Sequence, residues 1–238
     1  MSRTMTRLKV IGNQLRAGEI DIVKSDMAKW ADSTVQSIGL RRDFSMQPTR
    51  PPKAKIDLRA AKVDDDIAER VFDSSGLVER DRQFLDRRRA IWDAGFRNAY
   101  VALDPEDTPV FLSFFVHNSQ AQQIADYWGP LFQNYGPDTM LGEGAWIPPT
   151  FRKLGVFGEG FHLTSEAAQA ASGVRYGICY TEEANRGAIV GVYHAGYEVH
   201  QLRTETWKLG RRSVTFEPAT DAQHQLLADH LETSQRTS

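Results

Sequence analysis

The chain has 238 residues, 41% hydrophobic and 25% charged, with a formal net charge of −2. That length and composition suit one large globular domain or a domain with an extension. The near-neutral charge supplies no global field for nucleic acid or membrane, and the single cysteine, Cys179, excludes an intrachain disulfide and a cysteine-built zinc site. Residues 1–14 lack the apolar core of a signal peptide and no apolar run nears membrane-spanning length, so the expected location is cytoplasmic, with no nucleic-acid or membrane partner.

In chain order, Ile20, Val23, Met27, Trp30 and Thr34 carry the spacing of an amphipathic helix. Gln47-Pro48-Thr49-Arg50-Pro51-Pro52-Lys53 reads as a linker, because successive prolines break both helix and sheet. Residues 1–55 are therefore expected to form a helical extension and linker, available for packing or homodimerisation. Ile56-Asp57-Leu58-Arg59 alternates as a strand, and the acidic run Asp64-Asp65-Asp66 suits the start of a short helix. Leu77, Phe84, Leu85, Ile91 and Trp92 give a second helix an apolar face, with Arg87-Arg88-Arg89 on its charged, solvated side. Residues 99–103 and 110–116 predict two central strands joined by a turn at Asp104-Pro105. Between them and Thr139 lies an aromatic-rich segment with Tyr127, Trp128, Phe132 and Tyr135, which Gly129-Pro130 should break; it suits either a pocket wall or core packing.

Residues 139–147 form an apolar strand with Gly142 and Gly144 inside it, the mark of a bulge or a close backbone approach. Pro148-Pro149 ends it. After Arg152-Lys153-Leu154-Gly155-Val156-Phe157-Gly158, the residues Leu154, Phe157, Phe161, Thr164, Ala168 and Ala171 fall on one helix face. The start of such a helix offers free N–H groups to an anion. A strand over residues 173–180 follows, and further on a long strand over 199–209, a closing strand over 213–216, and a C-terminal helix over 220–232 with a fraying tail.

Ile147-x-Pro149-x-x-Arg152-x-x-Gly155-Val156 resembles the acyl-CoA signature of the GCN5-related N-acetyltransferase (GNAT) superfamily. Asn185, Ala188, Gly196 and Tyr197 resemble that family's next helix, at the matching distance. The sequence departs from the pattern at Phe157, where a small residue is usual, with Gly158 directly behind it. The resemblance implies an α/β fold with a mixed, mostly antiparallel central sheet, helices on both faces and a splayed parallel strand pair. It covers residues 56–218, leaving 219–238 as a C-terminal helix and tail.

The same resemblance implies N-acyl transfer from acetyl-CoA or another acyl-CoA to a small-molecule or protein amine. The donor would be a cosubstrate rather than a tightly held cofactor, and no metal is expected. Ala145, Trp146 and Ile147 would meet the pantetheine arm through the main chain. Arg152, Lys153, Leu154, Gly155, Val156, Phe157 and Gly158 would hold the pyrophosphate, with Asn185 beside them. Glu143 is the candidate general base, or else a bulge residue facing solvent; Glu182 ranks behind it. The family's helix tyrosine falls in register on Val192, so Tyr193, about 100° further round the helix, is the candidate acid. A donor presented on an acyl carrier protein, and a fold kept only for binding or assembly, stay open.

Overall fold

The computed structural model describes residues 32–46, 52–132 and 135–236. Its strands are β1 (Asp32–Asp43), β2 (Arg59–Lys62), β3 (Ala99–Leu103), β4 (Pro109–His117), β5 (Thr139–Trp146), β6 (Tyr176–Glu182), β7 (Glu198–Lys208) and β8 (Arg211–Pro218). They lie in the order β2-β3-β4-β5-β6-β1-β7-β8. The helices are α1 (Asp65–Val71), α2 (Glu79–Asp93), α3 (Ala121–Trp128), α4 (Val156–Ser172), α5 (Arg186–His194) and α6 (Asp221–Arg236). No helix among the described residues is long and apolar enough to cross a membrane. The expected mixed sheet is present: β2/β3, β3/β4, β4/β5 and β1/β6 pair antiparallel, and β5/β6 pair parallel.

β3 is buried throughout and β4 at every position but His117, because apolar layers cover both faces of the sheet there. One layer gathers Leu85, Ile91, Trp92, Phe96, Leu112 and Phe114. The other gathers Phe111, Phe115, Val156, Phe161, Ile189 and Val192. The chain forms two compact units. The larger takes Ser37–Arg203 and Phe216–Ser238 and contains both layers. The described part of the other is residues 32–36 and Thr204–Thr215; within it Trp207 Nε1 donates to Glu205 at 2.6 Å, and Arg212 pairs with the same carboxylate at 2.7 Å.

Four sequence expectations shift. The helix read from Ile20 to Trp30 lies outside the described residues, while Asp32–Asp43 is strand. Its Ser37–Asp43 half belongs to the sheet rather than to an extension ahead of it, pairing antiparallel with β6. Ile38 and Leu40 face the apolar layer, and Arg42, 1% exposed, is held by the Glu166 carboxylate and lies 3.2 Å from His162 Nδ1. A buried arginine paired from a distant helix breaks the alternation that would mark the strand in sequence. The first strand after the linker is Arg59–Lys62, not 56–59; the alternation of Ile56 and Leu58 packs them on the core, but the ladder forms only where β3 is opposite. Leu154 precedes α4 instead of joining it. The C-terminal helix runs on to Arg236, through residues expected to fray.

The aromatic segment forms α3, which ends at Gly129 (φ 68°), where proline and left-handed glycine stop the helix as expected. Trp128 packs 4.7 Å from Phe96 and 5.3 Å from Phe132, and the Tyr135 hydroxyl donates to the Val116 carbonyl at 3.1 Å.

Candidate active site

Two strands that pair and then part create the site. β5 and β6 run parallel from Thr139↔Tyr176 to Gly142↔Cys179. Beyond that, β6 continues against β1 as far as Ser37↔Glu182, and β5 continues against β4 to Leu112↔Trp146. A register shift between Leu112 and Phe114 marks the bulge around Gly144, which has φ 67°. A cavity of about 920 Å³ opens beside the parted end of β5. Ala145, Trp146 and Ile147 line it from the strand; Arg152, Lys153, Gly155, Val156, Phe157 and Gly158 line it from the following loop and helix. Asn185, Gly191 and His194 line it from α5.

The loop gains its shape from Gly155, the N-cap of α4, whose φ of 78° is left-handed backbone that favours glycine. No side chain caps this helix start, so its first-turn amides face the cavity rim without a built-in acceptor. Glu159 in that turn is drawn inward instead: its Oε2 accepts from the Ala54 amide, and its Oε1 lies 3.7 Å from Lys53 Nζ. The Lys55 amide also donates to the Leu154 carbonyl at 2.8 Å. Residues 52–55 thus lie on the loop and bring Lys53 to the cavity, a placement that the linker reading gave no hint of. Arg152 crosses to α2, with Nη2 2.5 Å from Asp81 Oδ1. Lys53, Arg80, Arg88, Arg152 and Lys153 line the cavity against the single carboxylate Asp81, so among the described residues its walls are strongly cationic.

Phe157 lines the cavity and packs on the core, stacked on Phe161 at 6.2 Å and edge-on to Phe111 at 5.7 Å. Its fit depends on a glycine opposite, since a Cβ on Gly191 would stand 2.5 Å from Phe157 Cδ1. Asn185 caps α5, its Oδ1 accepting from the Ala188 amide at 3.3 Å, and still lines the cavity.

The remaining expected residues scatter. Leu154 packs half-buried on the core and does not line the cavity. Tyr193 is 37% exposed and does not line it either, while Val192 is core. Successive helix residues point about 100° apart, so the residue that α5 sends to the cavity near this position is His194, which sequence reasoning passed over. Tyr127, Trp128, Phe132 and Tyr135 do not line this cavity; Tyr135 lines a separate one of about 380 Å³.

Glu143 stands one residue before the bulge, half-buried and outside the cavity lining. Burial pushes its carboxyl up, and the guanidiniums of Arg203 and Arg88 work against that shift. Arg88, from α2, does line the cavity: Nε donates to the Gly144 carbonyl and Nη2 to the Ala145 carbonyl, each at 3.3 Å. In sequence it was one of three consecutive arginines on a solvated helix face, with nothing to separate it from its neighbours. Burial also raises the Cys179 thiol far above its usual range, so that thiol is no nucleophile.

No family model matches the chain, and no curated protein sequence does. Solved structures do. The glucosamine N-acetyltransferase region of a fungal multi-domain GH3 β-N-acetylglucosaminidase aligns with a TM-score of 0.50 at 11% identity, over 81% of this chain and 23% of that one. A GNAT-family acetyltransferase from Colwellia psychrerythraea aligns at 0.45 and 15% identity, over 84% of this chain and 62% of that one. A GCN5-related N-acetyltransferase from Sphaerobacter thermophilus aligns at 0.48 and 13% identity, over 84% and 69%. This chain thus spans under two thirds of the first two proteins. At 11% identity the likeness to the first of these establishes the fold alone, which is that of the GCN5-related N-acetyltransferases.

Proposed function

We propose that this chain, on its GCN5-related N-acetyltransferase fold, transfers an acyl group from a coenzyme A thioester to an amine. The observation that carries the reading is convergence: the parted strand end at residues 145–147, the uncapped start of α4 at Gly155 and the start of α5 at Asn185 all line one cationic cavity. Each part suits one part of such a donor. Exposed strand backbone pairs with an amide-bearing arm, and helix amides with Arg152, Lys153 and Lys53 nearby suit a pyrophosphate. The donor is a cosubstrate, taken up and released in each turnover.

In the step itself the amine nitrogen attacks the thioester carbonyl. A C–N bond forms, the carbonyl oxygen becomes an oxyanion, and collapse breaks the C–S bond to release coenzyme A. The proton leaving the nitrogen goes through one water to Glu143, which stands one residue before the bulge rather than on the cavity wall and whose carboxyl burial raises above its usual range. The leaving sulfur takes a proton from water or from His194, the titratable side chain that α5 brings to the cavity. Tyr193 lies off that wall and takes no part.

A second reading has one observation in its favour. Pro52 Cβ would lie 3.2 Å from a Cβ on Gly158, and the Lys53 carbonyl 3.3 Å from one on Gly155, so residues 52–55 crowd the phosphate end. That crowding favours a slimmer donor, the phosphopantetheine arm of an acyl carrier protein. Calorimetry with coenzyme A, acetyl-CoA and an acylated carrier protein tests both. Coenzyme A binding that Gly155→Asp removes supports the first reading, and binding of the carrier alone supports the second. Binding of none of them rejects acyl transfer from a thioester at this cavity.

A further inference from the structure

The transfer chemistry gives Arg88, which lines the cavity, no contact with either reactant. α2 carries Arg80, Arg82, Arg87, Arg88 and Arg89. Arg82 and Arg89 reach carboxylates on their own helix, Glu79 at 3.2 Å and Asp93 at 3.9 Å. Arg88 turns inward instead. Its Nη1 donates to the Phe84 carbonyl at 2.9 Å, and its Nε and Nη2 hold Gly144 and Ala145 at the bulge. Among the described residues no carboxylate oxygen lies within 4.0 Å of it. Three neutral carbonyls fix the orientation of a half-buried guanidinium, and the Glu143 carboxylate, beyond 4.0 Å, offsets the cost of its burial only in part; a cation drawn out of water gains a closer partner when an anion arrives. Trp146, 8% exposed and lining the same end, buries an indole N–H with no acceptor among the described residues.

We propose that this end of the cavity recognises a carboxylate on one of the two reactants, with Arg88 as the specificity-determining residue. The inference rests on the acyl-transfer reading. The donor's own phosphates are provided for at the other end, by the α4 start with Arg152 and Lys153. Arg88 is instead anchored to Gly144 and Ala145, beside the strand that would carry the thioester. A planar fork with a fixed orientation matches a carboxylate in two-pronged fashion. The carboxylate has two sources. It ends a dicarboxylic acyl chain, or it belongs to an amino-acid-like acceptor whose amine then lies toward Glu143.

The experiment has two arms, each read on the full chain and on Arg88→Gln. In the donor arm, calorimetry compares succinyl-CoA with butyryl-CoA, which has the same chain length and no charge. In the acceptor arm, acetyl-CoA is supplied and rates with amino acids are compared with those of their amides. The expected result is a preference of about tenfold or more for the charged member in one arm, as an ionic hydrogen bond gives, falling to near unity in Arg88→Gln. A preference in the donor arm identifies the acyl chain as the source, and one in the acceptor arm identifies the acceptor. No preference in either arm, or an Arg88→Gln variant that weakens charged and neutral members alike, overturns the proposal and leaves Arg88 a clamp for the strand. In that case coenzyme A binding abolished by Gly155→Asp still supports the transfer reading, whereas absent coenzyme A binding removes the reading itself.

Discussion

The two ends of the cavity are built in opposite ways. The loop end is mostly local: Arg152 to Gly158 is a run of seven consecutive residues, shaped by a left-handed glycine at the start of α4, with residues 52–55 laid on it from outside. The strand-side end is assembled from afar. Gly144 and Ala145 meet Arg88 from a helix more than fifty residues earlier, and Glu143 feels Arg203 from β7. The local end relies on backbone amides, which any sequence supplies once the turn is right. The distant end relies on charged side chains, which the sheet has to bring together. Under the proposed transfer, the loop end would bind through backbone and the strand end would choose the substrate through side chains.

Substitutions separate the two ends. The largest effect is expected at Glu143→Gln, which keeps shape and removes the proton acceptor: acylation should slow by about 10²–10⁴-fold with donor affinity nearly unchanged. An unaltered rate across the pH range would move the base elsewhere. Gly155→Asp adds a negative charge and a Cβ at left-handed φ, and coenzyme A affinity by calorimetry should drop by about a hundredfold, or about 2.7 kcal/mol. Gly155→Ala carries the backbone strain and the contact with residues 53–54 but no charge, so a comparable loss there would assign the effect to loop shape rather than to the donor's phosphates.

Smaller effects test the wall between the helices. Gly191→Ala places a Cβ on the Phe157 ring and should destabilise by about 1–3 kcal/mol, read as a lower urea midpoint. Asn185→Ala removes the α5 cap and should cost about 1 kcal/mol. A donor affinity that falls further than stability in Asn185→Ala would show that the side chain leaves its cap to meet the ligand. Glu143 also leaves a signature in stability. Its folded carboxyl titrates above the unfolded one, so the folded state holds the extra proton between the two values and stability declines as pH rises through that window. Above it, Glu143→Gln should melt higher than the parent; equal melting temperatures at pH 5 and pH 8 in both proteins would contradict the burial effect.

Residues whose role is fixed by neighbours along the chain were legible in the sequence. The strand at 139–147, its end at Pro148-Pro149 and a helix after the glycine loop follow from propensity, glycine and proline geometry and spacing, and so does the break after Trp128, while the Asn185 start was read from the family resemblance. Residues whose role depends on a partner far along the chain were not. Nothing in Arg87-Arg88-Arg89 marks the middle arginine as the one that turns inward. Nothing around Arg42 shows that Glu166 will neutralise it inside the sheet, and nothing in Pro52-Lys53 shows that the linker lies on the glycine loop. Tyr193 shows how narrow the margin is, since one helix position moved it off the cavity wall and left His194 there instead. Local order is set by dihedral preferences and hydrophobic period, which the sequence states residue by residue. The placing of charges is set by which desolvated groups the packed layers bring together, and that exists only once the sheet has formed.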